Sequence, residues 1–182
     1  MFIQTEQTPN PATLKFLPGL GVMPSGTANF TSKEATSRSP LAERLFSLPE
    51  VNGVFLGGDF ITVTKTDDSD WFQVKPAVLA AIMEHFTTGQ PVITGAADEP
   101  AANEAEDDEV VSAIKELLET RVRPAVAQDG GDIIFEEFAD GIVYLHMQGS
   151  CSGCPSSTAT LKAGIENMLR HYIPEVLEVR AV

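Results

Sequence analysis

Cysteine, basic residues and long apolar runs are all scarce in this chain of 182 residues. It has 12 Lys and Arg residues against 26 Asp and Glu residues, which gives a formal net charge of −14. Nucleic acids and anionic membranes are bound by basic surfaces, so this balance disfavours both as partners. No apolar run reaches the roughly 20 residues that a transmembrane helix needs. The sequence therefore predicts neither a nucleic-acid-binding protein nor a membrane protein.

The sequence also shows no targeting segment and no set of cysteines that is typical of structural disulfides. The first residues show neither a basic segment followed by an apolar stretch nor an Arg- and Ser-rich amphipathic leader. Because such segments direct secretion and organelle import, we expect a cytoplasmic protein in a reducing compartment, where structural disulfides are rare. The chain has two cysteines, Cys151 and Cys154. A close pair in such a compartment favours a metal or redox site.

An acidic stretch divides the sequence into two modules. Residues 96–109 carry seven acidic side chains, no basic ones and no large apolar residue. Such a segment cannot bury enough surface to order itself, and its like charges extend it. The sequence thus predicts an α+β protein made of two small α/β modules. We place the domains at residues 1–92 and 109–182, joined by an acidic flexible linker at residues 93–108.

The N-terminal module is predicted to contain two strands, a helix, a hairpin and a second helix, in that order. Residues 13–17 alternate between polar and apolar side chains and end at a Pro-Gly turn, which is typical of a strand. Ser followed by Pro at residues 39–40 is typical of a helix start. Residues 51–65 have the pattern of a hairpin around Gly-Gly. The second helix is predicted from about residues 74–76, with proline in its first turn.

The C-terminal module is predicted to have the order helix, strand, strand, helix, strand. The predicted elements are a helix from about residue 109, strands at 133–136 and 142–147, a helix from 155 and a strand at 176–179. Pro124 is expected to kink or end the first helix. Gly130 and Gly131 are expected to supply the positive backbone dihedral of a turn before the first strand. Replacing them should lower stability before it lowers binding at the cysteines.

The two cysteines form a CxxC motif between a predicted strand and a predicted helix. Pro155 suits the first helical position, so we expect Cys154 at or beside the helix N-cap. Unpaired N–H groups and the helix dipole at that point favour a thiolate and lower the thiol pKa from about 8.5. Two thiolates are half of the four ligands that an iron–sulfur cluster or a structural zinc usually takes. A two-fold dimer that brings two motifs together would complete the set.

Several interpretations of the motif remain open from the residues alone. One is an iron–sulfur cluster bound between two chains, and a second is a dimer held together by a structural zinc ion. A third is a dithiol oxidoreductase with a reversible Cys151–Cys154 disulfide. Ser150 weakens the third, because thioredoxin-type sites usually have an aromatic residue before the first cysteine. A further alternative is a pair of thiols without a chemical role. His146 and His171 do not have the sequence spacing from the motif that is typical of metal ligands.

The residues around the motif resemble the NifU-like C-terminal domain. The matching segments are residues 126–133, 145–157, 160–166 and 173–176, which read VAQDGGDI, LHMQGSCSGCPSS, TLKAGIE and IPEV. The N-terminal module resembles the Nfu N-terminal domain through residues 8–16, 39–42, 54–63 and Trp71. The two modules in this order are similar to the Nfu-type proteins of mitochondria and their bacterial relatives.

The resemblance implies an iron–sulfur cluster scaffold or carrier and not an enzyme. By position, Cys151 and Cys154 would be the ligands of a cluster that bridges a homodimer, with 4Fe–4S favoured over 2Fe–2S. Apo iron–sulfur client proteins and upstream cluster donors would be the further partners. Because the mitochondrial members have a leader that is not visible here, the sequence predicts a bacterial cytoplasmic member. The N-terminal module shows no cluster of ligands, and its predicted role is partner recognition or structural support.

Overall fold

A computed structural model describes residues 2–95, 108–151 and 155–182 of the chain. The chain divides into two compact units, Met1–Glu99 and Pro100–Val182. Each unit combines helices with a sheet, which confirms the predicted α+β class. Most of the predicted linker lies outside the described residues, so its extended conformation stays a prediction.

The first unit is a five-stranded antiparallel sheet in the order β1-β2-β5-β4-β3, with two α-helices. Its elements are β1 (Gln4–Gln7), β2 (Thr13–Leu17), β3 (Ala28–Phe30), a 3-10 helix (Lys33–Arg38), α1 (Pro40–Phe46), β4 (Val51–Leu56), β5 (Ile61–Lys65) and α2 (Trp71–Thr88). The predicted helix, hairpin and second helix are present, but three strands precede α1 where two are predicted, and only β2 was assigned to its residues. β1 is polar and mostly exposed and β3 has three residues, so neither gives a clear strand pattern. Completely buried side chains in this core include Phe16, Phe30, Leu41, Leu45, Ile61 and Ile82.

Two capping side chains determine where the helices of this unit begin. The Ser39 hydroxyl accepts a hydrogen bond of 3.1 Å from a backbone N–H in the first turn of α1, as the sequence predicts. The Asp70 carboxylate accepts one of 2.9 Å from the first turn of α2, so this helix begins at Trp71. The predicted start near residue 74 is therefore wrong. Pro76 lies inside the helix, where its missing N–H removes one backbone hydrogen bond.

The second unit has the predicted order of helix, strand, strand, helix and strand. Its elements are α3 (Glu109–Leu117), a π-helical segment (Leu118–Val122), α4 (Arg123–Gln128), β6 (Gly131–Ala139), β7 (Ile142–Gly149), α5 (Pro155–Tyr172) and β8 (Glu178–Ala181). The sheet order is β6-β7-β8, in which β6 and β7 are antiparallel and β8 lies parallel to β7. The core of this unit includes Ile114, Leu118, Ile133, Leu145, Leu169 and Val179.

The predicted boundaries of this unit differ from the structure at two points. The first helix does not end at Pro124, because a π-helical turn precedes this residue and places it in the first turn of α4. A missing N–H is readily tolerated there. The last strand begins at Glu178 and not at Val176. The N–H of Val176 instead donates to the carbonyl three residues earlier, at 3.1 Å, and closes a turn.

Candidate functional site

The cysteine loop follows the end of the β6–β7 hairpin. Gly131, the first residue of β6, pairs with Gly149, the last residue of β7. Cys151 comes two residues later, and α5 begins at Pro155. Residues 152–154 lie outside the described residues. The position of Cys154 beside the helix N-cap therefore stays a prediction.

The backbone on both sides of Cys151 is tied to neighbouring elements. Ser150 donates its N–H to the Gly130 carbonyl at 3.2 Å, and its hydroxyl donates to the Asp129 carbonyl. On the other side, the Thr158 hydroxyl in α5 donates to the Cys151 carbonyl at 2.9 Å. The turn before β6 and the first part of α5 thus fix the backbone at Cys151.

Gly131 lies against the sulfur of Cys151. A Cβ built at Gly131 would lie 2.5 Å from Cys151 Sγ and 2.9 Å from the Gln148 carbonyl oxygen. Real Cβ atoms essentially never approach other atoms within 3.0 Å, so a side chain here would displace the thiol. Gly130 has a φ of +80°, as the sequence predicts. The same prediction for Gly131 is wrong, because its φ is not positive. A glycine is needed there for another reason, since a side chain would overlap the sulfur of Cys151.

The Cys151 thiol is 7% exposed, and this burial controls its protonation. Its pKa is raised to about 11, mainly by desolvation; the carboxylates of Asp129 and Asp132 act in the same direction, and a hydrogen bond with Ser150 opposes them. A lowered thiol pKa is expected at the helix N-terminus beside Cys154, which lies outside the described residues, so that expectation stays a prediction. It does not extend to Cys151, because this sulfur is buried against Gly131.

An ion pair lies beside the turn that contacts Cys151. Arg123 Nε is 2.8 Å from Asp132 Oδ1, and Arg123 Nη2 is 2.9 Å from Asp132 Oδ2. Asp132 is 3% exposed, and its Oδ1 also accepts the N–H of Ile133 at 2.8 Å. Arg123 contacts the exposed carboxylate of Glu119 as well. This pair is not predictable from the sequence, because no local spacing rule connects a helix residue with a strand residue nine positions later.

The three histidines lie in different surroundings. His146 is in β7, His171 packs edge-on against Tyr172, and His85 is buried in the first unit. Within the described parts of the chain, no group of three or more His, Cys, Asp and Glu side chains is arranged to hold a metal ion. In the same parts, no helix combines the length and the apolar character needed to cross a membrane.

Two family models match the chain in the order of its two units. Residues 3–89 match "Scaffold protein Nfu/NifU N terminal" and residues 114–180 match "NifU-like domain". A human relative, "NFU1 iron-sulfur cluster scaffold homolog, mitochondrial", is 54% identical and covers 100% of this chain and 72% of its own. The chain belongs to the Nfu/NifU-like family. This confirms the resemblance described from the sequence.

Other members of the Nfu/NifU-like family match along nearly the whole chain. "NifU-like protein 4, mitochondrial" from Arabidopsis thaliana is 52% identical and covers 97% of this chain and 64% of its own. A Drosophila virilis relative with the same name as the human one is 54% identical, and the chain spans 62% of it. A solved NifU-like protein from Saccharomyces cerevisiae aligns with a TM-score of 0.48 and 27% identity, over 53% of this chain and 87% of that one.

These family members correct one prediction. The sequence predicts a bacterial cytoplasmic protein, but the human, fly and plant relatives are all mitochondrial by name. The prediction of a bacterial cytoplasmic location is therefore contradicted. It depended on the absence of a visible leader, and the first residues of a sequence do not decide whether a leader precedes them.

Proposed function

We propose that this protein is an iron–sulfur cluster scaffold that binds a cluster between two copies of the chain and passes it to apo-proteins. Cys151 and Cys154 of each copy are the ligands. Family membership and the relatives named as cluster scaffolds support the proposal. The structural observation that carries it is the fixed backbone at Cys151, directly after β7, with a glycine leaving room for the sulfur.

The number of thiols supports a cluster shared by two chains. Each chain has two cysteines, whereas a 4Fe–4S or 2Fe–2S cluster usually takes four. Two loops related by a two-fold axis supply four thiolates without any other residue. A cluster at such an interface is released when the two chains separate, which suits delivery better than storage. Within this proposal 4Fe–4S is favoured over 2Fe–2S.

The chain itself supplies the thiols and holds the backbone at Cys151. Soft thiolate ligands suit iron–sulfur clusters, and ligation replaces the proton of each thiol. The hydrogen bonds of Ser150 and Thr158 keep the main chain at Cys151 in place while the ligand forms its bond. The proposed role of the N-terminal unit is recognition of the proteins that give or receive the cluster.

Anaerobic reconstitution with ferrous iron and sulfide tests the proposal. We expect about four irons and four sulfides for every two chains, and the mass of a dimer, because four thiolates hold one 4Fe–4S cluster. Cys151→Ala and Cys154→Ala should each abolish iron uptake. Ser152→Ala is the matched control, since it changes the same loop without removing a thiol. A stable monomer that binds no iron would contradict the proposal.

The two other interpretations of the motif are separated by further measurements. An oxidoreductase needs a reactive thiolate, and the raised pKa of Cys151 is unfavourable for one. Metal-independent reduction of insulin that disappears in Cys151→Ala would nevertheless favour the oxidoreductase. Zinc can use the same four thiolates as iron, so elemental analysis of anaerobically purified protein decides between the two metals. Delivery is tested by activating an apo-enzyme that requires a 4Fe–4S cluster, with a chelator present to capture free iron.

A further inference from the structure

The Arg123–Asp132 ion pair links α4 to the start of β6. Both contacts of the guanidinium with the carboxylate are shorter than 3.0 Å, which makes the pair bidentate. A pair of this kind fixes direction as well as distance, because the planar guanidinium matches the two carboxylate oxygens. The side chain of Asp132 is 5% exposed, so water competes little for the contact.

Asp132 adjoins the glycine that contacts the cysteine sulfur. Gly131 pairs with Gly149, and Asp132 pairs with Gln148, at the end of the β6–β7 hairpin. On the same edge, the sulfur of Cys151 occupies the space that a side chain at Gly131 would need. A displacement of Asp132 would therefore move the surface on which the sulfur rests.

The π-helical segment explains how Arg123 reaches this position. A π turn inserts one residue into an α-helix and rotates everything after it by about 100° relative to an uninterrupted helix. Leu118–Val122 form this turn immediately before Arg123. Such turns are less favourable than α-helical turns and occur frequently at functional sites. In this chain Arg123 follows the π turn and contacts Asp132, which comes directly after Gly131 at the start of β6.

We propose that Arg123 and Asp132 are positioning residues for Cys151, whose ion pair holds the turn before β6 and through Gly131 fixes the sulfur. The ligand role of Cys151 in this inference rests on the function proposed above. The fixed position of the sulfur does not depend on that function, and it can be measured without a cluster.

Arg123→Gln is the main test variant, because it breaks the bidentate pair and leaves the carboxylate of Asp132 in place. The measurement is the rate at which iodoacetamide alkylates Cys151 in the full chain without cluster, followed by fragment-ion mass spectrometry of the labelled peptide, which distinguishes Cys151 from Cys154. Release of the sulfur from its packing should raise this rate at least about tenfold. If Arg123→Gln acted only through charge, the unpaired carboxylate of Asp132 would disfavour the Cys151 thiolate and slow its alkylation.

Three further variants separate positioning from general stability. Arg123→Lys keeps the positive charge but loses the planar guanidinium that makes two contacts with the carboxylate. The alkylation rate of Cys151 in this variant should lie closer to the wild-type rate than the rate in Arg123→Gln. Glu119→Gln removes only the exposed partner of Arg123 and should leave the rate unchanged. Val179→Ala lowers stability from β8, which pairs with the opposite end of β7. When each protein is measured at the same interval below its own melting temperature, Cys151 in Val179→Ala should be alkylated at the wild-type rate.

The loaded protein gives a second measurement on the same variants. After reconstitution, Arg123→Gln should lose its cluster to a chelator at least about fivefold faster than Val179→Ala, because a mobile ligand dissociates more often. Equal alkylation rates in Arg123→Gln, Arg123→Lys and Val179→Ala at matched stability would overturn the inference. A wild type that takes up no iron would overturn the proposed function, and the alkylation rates would still decide whether the pair positions Cys151.

Discussion

Gly131→Ala should destabilise the second unit and disable the cysteine site in one step. The new Cβ would lie 2.5 Å from Cys151 Sγ, 2.9 Å from the Gln148 carbonyl oxygen and 3.1 Å from the Cys151 backbone nitrogen. Ordinary contacts begin at 3.4 Å, so the sulfur is too close by about 0.9 Å. The other two atoms belong to the backbone, and a rotation of the thiol alone cannot relieve the overlap.

The expected loss of stability follows from this geometry. The φ of Gly131 is not in the left-handed region, so the cost is steric and not conformational. Extra groups in a well-packed interior typically cost about 1–3 kcal/mol. Because two of the three neighbours are backbone atoms, which cannot move as a flexible side chain does, we expect about 2–3 kcal/mol. For a unit of this size, that corresponds to a fall in Tm of roughly 10–20 °C.

Calorimetry of the full chain and the iron content after reconstitution together test this prediction. The matched control is Gly141→Ala, at the other end of the hairpin. Gly141 has a φ of +77°, and an added Cβ would lie 2.8 Å from the side chain of Leu177. Both variants should melt at lower temperature, but only Gly131→Ala should bind less iron per folded chain. A Gly131→Ala protein that melts like the wild type, or that melts lower and binds iron fully, would refute the reasoning.

Two further predictions concern the first unit. Burial, and then the charge of Arg44, lowers the pKa of the completely buried His85. The unfolded chain takes up this proton near pH 6.5 and the folded unit only at lower pH, so stability should fall below about pH 6.5, by at most about 1.4 kcal/mol per pH unit. His85→Phe should remove that loss, and equal pH slopes of the urea midpoint in both proteins would contradict it. Ser39→Ala should cost about 1–2 kcal/mol, because the hydroxyl caps α1 and also donates to the Val92 carbonyl at 2.6 Å. Ser47→Ala, at an exposed serine after α1, is its control and should change the urea midpoint by much less.

The element order of the second unit was predictable because each element is encoded by residues close together in the chain. Apolar periodicity indicates α3 and α5, and the glycine pair indicates the turn before β6. Boundaries were missed where one polar contact outweighs the pattern. Asp70 moves the start of α2 to Trp71, and the turn closed by Val176 delays β8. The edge strands β1 and β3 were not assigned to their residues, because β1 has no apolar residue and β3 is only three residues long.

The surroundings of Cys151 were not predictable in the same way, because they depend on contacts between distant parts of the chain. The sequence identifies Cys151 as a candidate ligand, but nothing local to it indicates that Gly131 lies against the sulfur. The expected fall of the thiol pKa came from the helix N-terminus alone. Burial acts in the opposite direction and is the larger influence at Cys151.

Under the proposed function, a cluster ligand at an interface would have two physical requirements, and different residues would meet them. The sulfur needs a place beside the hairpin, and the missing side chain of Gly131 provides it. The backbone needs to stay fixed, so that two loops can meet with the geometry that one cluster demands. In the inference drawn above, the Arg123–Asp132 ion pair would meet this second need without occupying the space beside the sulfur. If both proposals hold, Gly131→Ala will lower the amount of cluster bound, whereas Arg123→Gln will mainly shorten its lifetime.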